Sequence, residues 1–245
     1  MAFHDPDTWP PASPQPAAPA SSPLHRAMFA IDITGFGRRN TSVHLHLRAA
    51  LYRIVTDALT AIGVPFATCH HEDRGDGLLV IAPASVSAEL FLGPLPAHLH
   101  AGLRRHNRLS SPPAQMQLRA GVNAGYVHID DHGACGRALI HLYRLLDAPL
   151  FKSILKEHPT DLGLITSHYL YQELIDDNPG PLDPGAFTQI AITAKETYAP
   201  AWIWLAPAAP APRQPGALAA DGGPPPFHAV RTPGSGLRSG RALGD

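Results

Sequence analysis

The sequence predicts an α+β sandwich, with helices packed on a mostly antiparallel sheet. Two observations carry the prediction. Short apolar runs bounded by glycine and proline alternate with segments of helical period, in the order β-α-β-β-α-β-β-α-β-α-β-β. Polar, glycine-bearing turns join neighbouring strand runs, which is hairpin punctuation. No internal repeat competes with this order.

"AMFAIDI" (Ala27–Ile33) is short and apolar, with glycines just beyond it, and predicts a buried strand. Val43, Leu47, Leu51, Ile54, Ala58, Leu59 and Ile62 recur at helical spacing; Asn40 or Thr41 suits the N-cap and Gly63 the stop. "PFATCHH" and "GLLVIAP" are strand-like, and "EDRGDG" turns between them. Ser87–Leu109 predicts a helix interrupted near Pro94 and Pro96. Met116–Asp130 predicts two strands about a glycine-containing bend. Gly136–His158 is helical with a break at Pro149, "LGLITS" is a strand, and "SHYLYQELIDD" a short helix. "FTQIAITAK" and "APAWIWLA" close the chain as paired strands, with Trp202 and Trp204 as packing or interface residues.

The 245 residues divide by composition. Residues 1–25 and 207–245 are dense in proline, alanine and glycine, and predict disordered tails. Residues 26–206 suit one domain with one core. A formal net charge of −1 argues for neither a nucleic-acid nor a membrane partner. The basic cluster "LRRHNR" (Leu103–Arg108) reads as a solvated helix face, with phosphate contact as the alternative. Two cysteines, Cys69 and Cys135, in no C-x-x-C pattern fit a reducing compartment. No apolar run reaches the ~18 residues of a membrane span, and no signal-peptide core is evident. The expected location is cytoplasmic.

Asp32 ends the first apolar strand, and Asp76 sits in "RGDGLL" at the tip of the hairpin. If those strands are neighbours, the acids converge. Two carboxylates at one point suit a hard cation such as Mg²⁺, which keeps waters and phosphates as its other ligands. Adjacent glycines would let phosphates approach backbone N–H groups. Read alone, each acid is more readily a turn residue than a metal ligand. "CHHEDRGD" does not close on zinc, because adjacent strand residues point to opposite faces. Tyr143 reads as helix surface or dimer contact.

"FAIDITGF", "EDRGDGLLV", "LRAGVNAGYVH" and "GRALIHLYRLLDA" together resemble the catalytic domain of class III nucleotidyl (adenylate/guanylate) cyclases, over roughly Met28 to Pro149. The chain also resembles a cyclase-like actinobacterial branch that shares "HHEDRGDG" and "RHNRLSSP". The resemblance implies a ferredoxin-like βαββαβ core. It implies a nucleoside triphosphate substrate, Mg²⁺ or Mn²⁺, and a head-to-tail homodimer. It implies that Asp32 and Asp76 bind metal by side chain and Ile33 by its carbonyl. Phe36 and Gly37 would cradle the triphosphate, and Arg144 would reach the partner's site to stabilise the transition state. Three positions depart from the family pattern. Ile140 stands where a ribose-holding asparagine is expected, Glu72 where a base-reading lysine is, and Arg137 where an aspartate is. By the resemblance Glu72 would favour guanine; the alternative is that it faces solvent. The expected activity is cyclisation of a nucleoside triphosphate to a 3′,5′-cyclic nucleotide and pyrophosphate. The alternative is a degenerate homologue acting as a nucleotide-binding or dimerisation module.

Overall fold

A computed structural model describes residues 22–158, 160–176, 182–194 and 197–207. The rest of both expected tails lies outside the described residues. Strand β1 (Leu24–Ile33) starts three residues earlier than the apolar run implies, because Leu24 and His25 still pair with Val127 and Tyr126. Helix α1 (Thr41–Ala61) begins at Asn40, whose side chain accepts the Val43 N–H at 3.0 Å. It ends before Gly63, at φ +75°. β2 (His70–Asp73) and β3 (Gly77–Ile81) form the predicted hairpin, but the first strand is shifted: Phe66–Thr68 of the expected strand is a 3₁₀ turn, and Glu72 and Asp73 of the expected turn pair with Leu79 and Leu78. α2 (Glu89–Leu92) and α3 (Pro94–Leu109) split at Gly93, ahead of Pro94.

β4 (Leu118–Asp130) corrects the expectation of two strands. It is one strand of 13 residues, and a short β5 (Gly133–Cys135) turns back on its end. Its glycines do not bend it; they let a helix lie close. A Cβ on Gly121 would sit 3.0 Å from Leu142, and one on Gly125 would meet Ala138 at 2.6 Å. Both partners belong to α4 (Arg137–Leu146), which α5 (Pro149–Glu157) follows after the predicted break. β6 (Leu162–Ser167), α6 (His168–Tyr171), β7 (Phe187–Ala194) and β8 (Thr197–Leu205) complete the order.

The strand order is β2-β3-β1-β4-β6-β8-β7. Only β4–β6 is parallel; the other pairings among described residues are antiparallel. β1, α1, β2, β3, α3 and β4 make the ferredoxin-like βαββαβ core, with β1 central. Side chains alternate between two cores. Phe29, Ile31 and Ile33 of β1 pack with Leu47, Leu51 and Leu99 from α1 and α3. Met28 and Ala30 face the other way, onto Leu142 and Leu145 of α4 and Phe151 of α5.

Candidate active site

Asp32 stands in step with Met28 and Ala30, so it projects from the face that α4 and α5 cover. Its cross-strand neighbours are Gly77 and Arg119. Gly77 is needed there, since a Cβ would strike the Ile31 carbonyl oxygen and come within 3.0 Å of the Asp32 Cβ. Arg119 grips the carboxylate as a fork, Nε to Oδ1 at 2.8 Å and Nη2 to Oδ2 at 2.7 Å. Asp32 and Arg119 side chains are only 15% and 14% exposed. Burial pushes the Asp32 carboxyl above its ordinary range. Arg119 and, more weakly, Lys152 pull it back, while Asp76 adds to the upward push.

The hairpin turn carries Asp76 to the same place. The Asp76 carbonyl accepts the Ile33 N–H at 2.9 Å, docking the turn on the end of β1. α1 fixes the turn from outside. Arg48 donates to the Gly75 carbonyl at 2.9 Å, and Asp73 accepts from Gly75 N–H at 2.7 Å and Tyr52 OH at 2.8 Å. Gly75 takes φ +82°, a conformation only glycine adopts freely. The predicted convergence of the two acids is therefore found: both line one cavity of about 370 Å³. Arg74, Arg119, Tyr143, Asp147 and Lys152 line it too.

The other expected residues are placed differently. Ile33, Phe36 and Gly37 are not among the cavity walls. Phe36 lies in a single 3₁₀ turn, its ring stacked 4.1 Å from His44 and its carbonyl 2.9 Å from the His44 Nε2. Gly37 in the same turn is exposed and has no atom within 4 Å of a built Cβ. Glu72 is bound on both oxygens. Oε1 accepts the Ala134 N–H at 2.7 Å and meets His70 at 3.0 Å, while Oε2 pairs with Arg74. Burial alone would raise its carboxyl, but His70, Ala134 and Arg74 outweigh it and hold it below the ordinary carboxylate range. In this chain Glu72 staples β2 to β5. Arg144 is half-buried on α4 and is not among the residues lining the cavity. Ile140 is 53% exposed on the same helix.

Four wall residues escape a reading of the sequence. Arg119 had a signal: it is a cation inside an apolar strand, in register with Asp32. Arg74 adjoins the hairpin glycines, and its guanidinium lies 5.3 Å from the Tyr143 ring centroid. Tyr143 lines the cavity, with its hydroxyl buried beside Arg74. Lys152 arrives from α5, a helix with no visible link to the acids in sequence.

The donor set fits a hard divalent cation. A carboxylate offers about four lone-pair sites, and the Arg119 fork takes one on each Asp32 oxygen. Asp32 and Asp76 thus keep oxygen ligands for an ion whose remaining positions go to water or phosphate. Among the described residues no group of three His, Cys, Asp or Glu side chains forms a metal cluster, so those positions would not be filled by protein carboxylates.

Solved structures share this architecture. The guanylyl cyclase Cya2 superposes with a TM-score of 0.56 at 16% identity, over 80% of this chain and 98% of that one. The fold is that of a class III cyclase catalytic domain. An adenylate/guanylate cyclase/hydrolase from Silicibacter pomeroyi superposes at 0.53 and 19% identity, over 76% of this chain and 98% of its own. The catalytic core of a rhodopsin-guanylyl cyclase with converted specificity does so at 0.53 and 14%, again over 76% and 98%. The cyclase-like likeness is one of fold: no protein-family model and no curated protein matches the sequence. None of the described helices is long and apolar enough to cross a membrane.

Proposed function

We propose that the chain is a nucleotidyl cyclase-like protein that binds a nucleoside triphosphate with Mg²⁺ or Mn²⁺ and converts it to a 3′,5′-cyclic nucleotide and pyrophosphate. The observation that carries this is Asp32 and Asp76 on one cavity at the end of the central strand. A solved cyclase core of this fold holds ATPαS, which makes a triphosphate the first ligand to try.

When bound, divalent ions at Asp32 and Asp76 would supply charge neutralisation for the attacking and leaving oxygens. The Ile33 carbonyl is the third proposed metal ligand. Arg119 holds Asp32 in one orientation through its fork, so the carboxylate keeps its aim. The turn of Phe36 and Gly37 is proposed to take the phosphates from the far side of β1. Arg144 serves the partner's acids in a head-to-tail homodimer, where its guanidinium meets charge developing on phosphate. A cytoplasmic location and a reducing environment remain part of this reading.

A binding module that does not cyclise is the second reading, and two observations favour it. Ile140 presents an aliphatic group on α4 where a ribose contact is expected. Both oxygens of Glu72 are already used within the fold, so base reading would require breaking the β2–β5 staple. Incubating the protein with each of the four nucleoside triphosphates and Mn²⁺, then resolving products by mass spectrometry, separates the readings. A cyclic product supports the first. Mn²⁺-dependent retention of nucleotide without product supports the second.

A further inference from the structure

We infer that the groove between α1 and α3, across the sheet from the two acids, binds a phosphate monoester with an apolar body. The inference is independent of the cyclase reading, since the groove shares no residue with the acid cavity.

The basic cluster Leu103–Arg108 supplies one wall. Arg105 and His106 of α3 meet His46, Arg53 and Asp57 of α1 around a cavity of about 440 Å³. That volume falls in the range of about 300–1,000 Å³ seen for small-ligand pockets. The helices come close because of Gly102: a Cβ there would sit 3.2 Å from Ile54 Cγ2. Gly102 and Ile54 thus leave a clear floor between charged walls.

The wall groups differ in how far they are already committed. Buried His106 has Nε2 2.9 Å from the Ala114 carbonyl, so that nitrogen carries the proton and donates it there. Ser110 donates to the His106 carbonyl at 2.8 Å. These two groups hold the end of α3 in place. By contrast, no hydrogen bond or ion pair ties the side chain of Arg53, Arg105, His46 or Asp57 to another described residue. Two arginines against one aspartate leave the cavity at +1 with its imidazoles neutral. A phosphate monoester carries about −1.5 to −2 at pH 7 and three strong acceptor oxygens. Guanidinium groups meet such oxygens with paired, parallel donors. A carboxylate offers less charge and fewer oxygens to share between arginines on two helices.

The groove continues beyond the arginines. His46, Leu109 and Ser110 also line an adjoining cavity of about 370 Å³, together with Val43 and Ala114. Leu109 is 86% exposed at the junction of the two. An apolar or aromatic body on the phosphate would cover it and remove that surface from water.

The test is NMR titration of the full-length protein with phenyl phosphate and, separately, with inorganic phosphate. A chelator is present throughout, so any metal-dependent site stays silent. Phenyl phosphate should shift the Gly102 and Ser110 amide signals and bind about fivefold more tightly than inorganic phosphate. Arg53→Ala and Arg105→Ala should each weaken binding about fivefold or more. Asp57→Asn should strengthen it, by removing the one opposing charge. Arg108→Ala, an exposed change on the same helix outside the groove, should bind like wild type. Matched melting curves check that these surface variants stay folded. Unmoved Gly102 and Ser110 signals would overturn the inference. So would an Arg108→Ala loss equal to that of Arg105→Ala, which marks diffuse charge rather than a site. Equal affinity for the two phosphates would overturn it too, leaving an adventitious ion only. Arginine-dependent sedimentation with anionic vesicles, in a protein that ignores phenyl phosphate, would assign the groove to a membrane surface instead.

Discussion

At the scale of single residues, the chemistry turns on how each buried carboxylate is held. Asp32 is tolerable beneath α4 because Arg119 faces it across the strand pair. Removing one partner of such a pair leaves a charge without compensation. Arg119→Met should therefore destabilise the fold by roughly 3 kcal/mol in urea unfolding. If the acids take a metal, Mn²⁺ should raise the melting temperature of Arg119→Met by more than that of wild type, since the ion replaces the lost charge. An equal or absent Mn²⁺ effect would return Asp32 to a purely structural pair. Glu72 makes a different claim, about pH. Its folded carboxyl titrates below the ordinary value of 4.5, so the ionised staple contributes stability above that value. The contribution is lost as pH falls through the depressed folded value. Glu72→Gln should be less stable than wild type by about 1–3 kcal/mol near neutrality. The gap should close on acidification below about pH 4. A gap that stays constant down the pH series would show that shape, not charge, makes the staple.

Among the elements, α4 decides where the cavity walls stand. Leu139, Leu142, Leu145 and Leu146 bury one face, and the helix sits low because β4 offers Gly121 and Gly125 beneath it. Gly121→Val should push against Leu142 and cost about 1–3 kcal/mol, the usual range for overpacking. It should also displace Tyr143 from the cavity wall and weaken Mn²⁺-dependent nucleotide retention. Unchanged stability would mean that α4 is less tightly seated than its contacts indicate. The same glycines explain what was legible in the sequence. The alternation of strands and helices, the hairpin at Gly75 and the breaks at Pro94 and Pro149 are local signals, and all are found. Gly125 misled because a strand glycine marks either a bend or a close neighbour, and only the packed helix distinguishes them. The site was half legible for the same reason. Asp32 and Asp76 announce themselves beside glycines, whereas Lys152 comes to the same cavity on a helix joined to nothing nearby in sequence.

For the whole molecule, the question is whether one chain suffices. Asp32 and Asp76 share a cavity from which Arg144 is absent. If catalysis needs all three, a two-fold dimer builds each site from both subunits. Asp76→Ala and Arg144→Ala proteins should each be inactive yet recover activity when mixed. Random exchange gives half heterodimers with one intact site each, so recovery approaches roughly a quarter of wild type per subunit. A dead mixture of demonstrably exchanging subunits, beside an active wild type, would rule out the shared site. The central position of β1 has a further consequence, for how the chain is made. β1 is the first described element to leave the ribosome, but its two neighbours come from β3 and from β4, the latter ending roughly a hundred residues later. At about 5–20 residues per second, its apolar edges wait roughly 5–20 s for β4 to be synthesised. Until β3 emerges "MFAI" has no strand to pair with, and until β4 arrives one edge stays open, so nascent chains on one messenger present the same sticky segment to each other. Recombinant yield should therefore depend on chaperone supply and growth temperature more steeply than the stability of the finished domain would suggest.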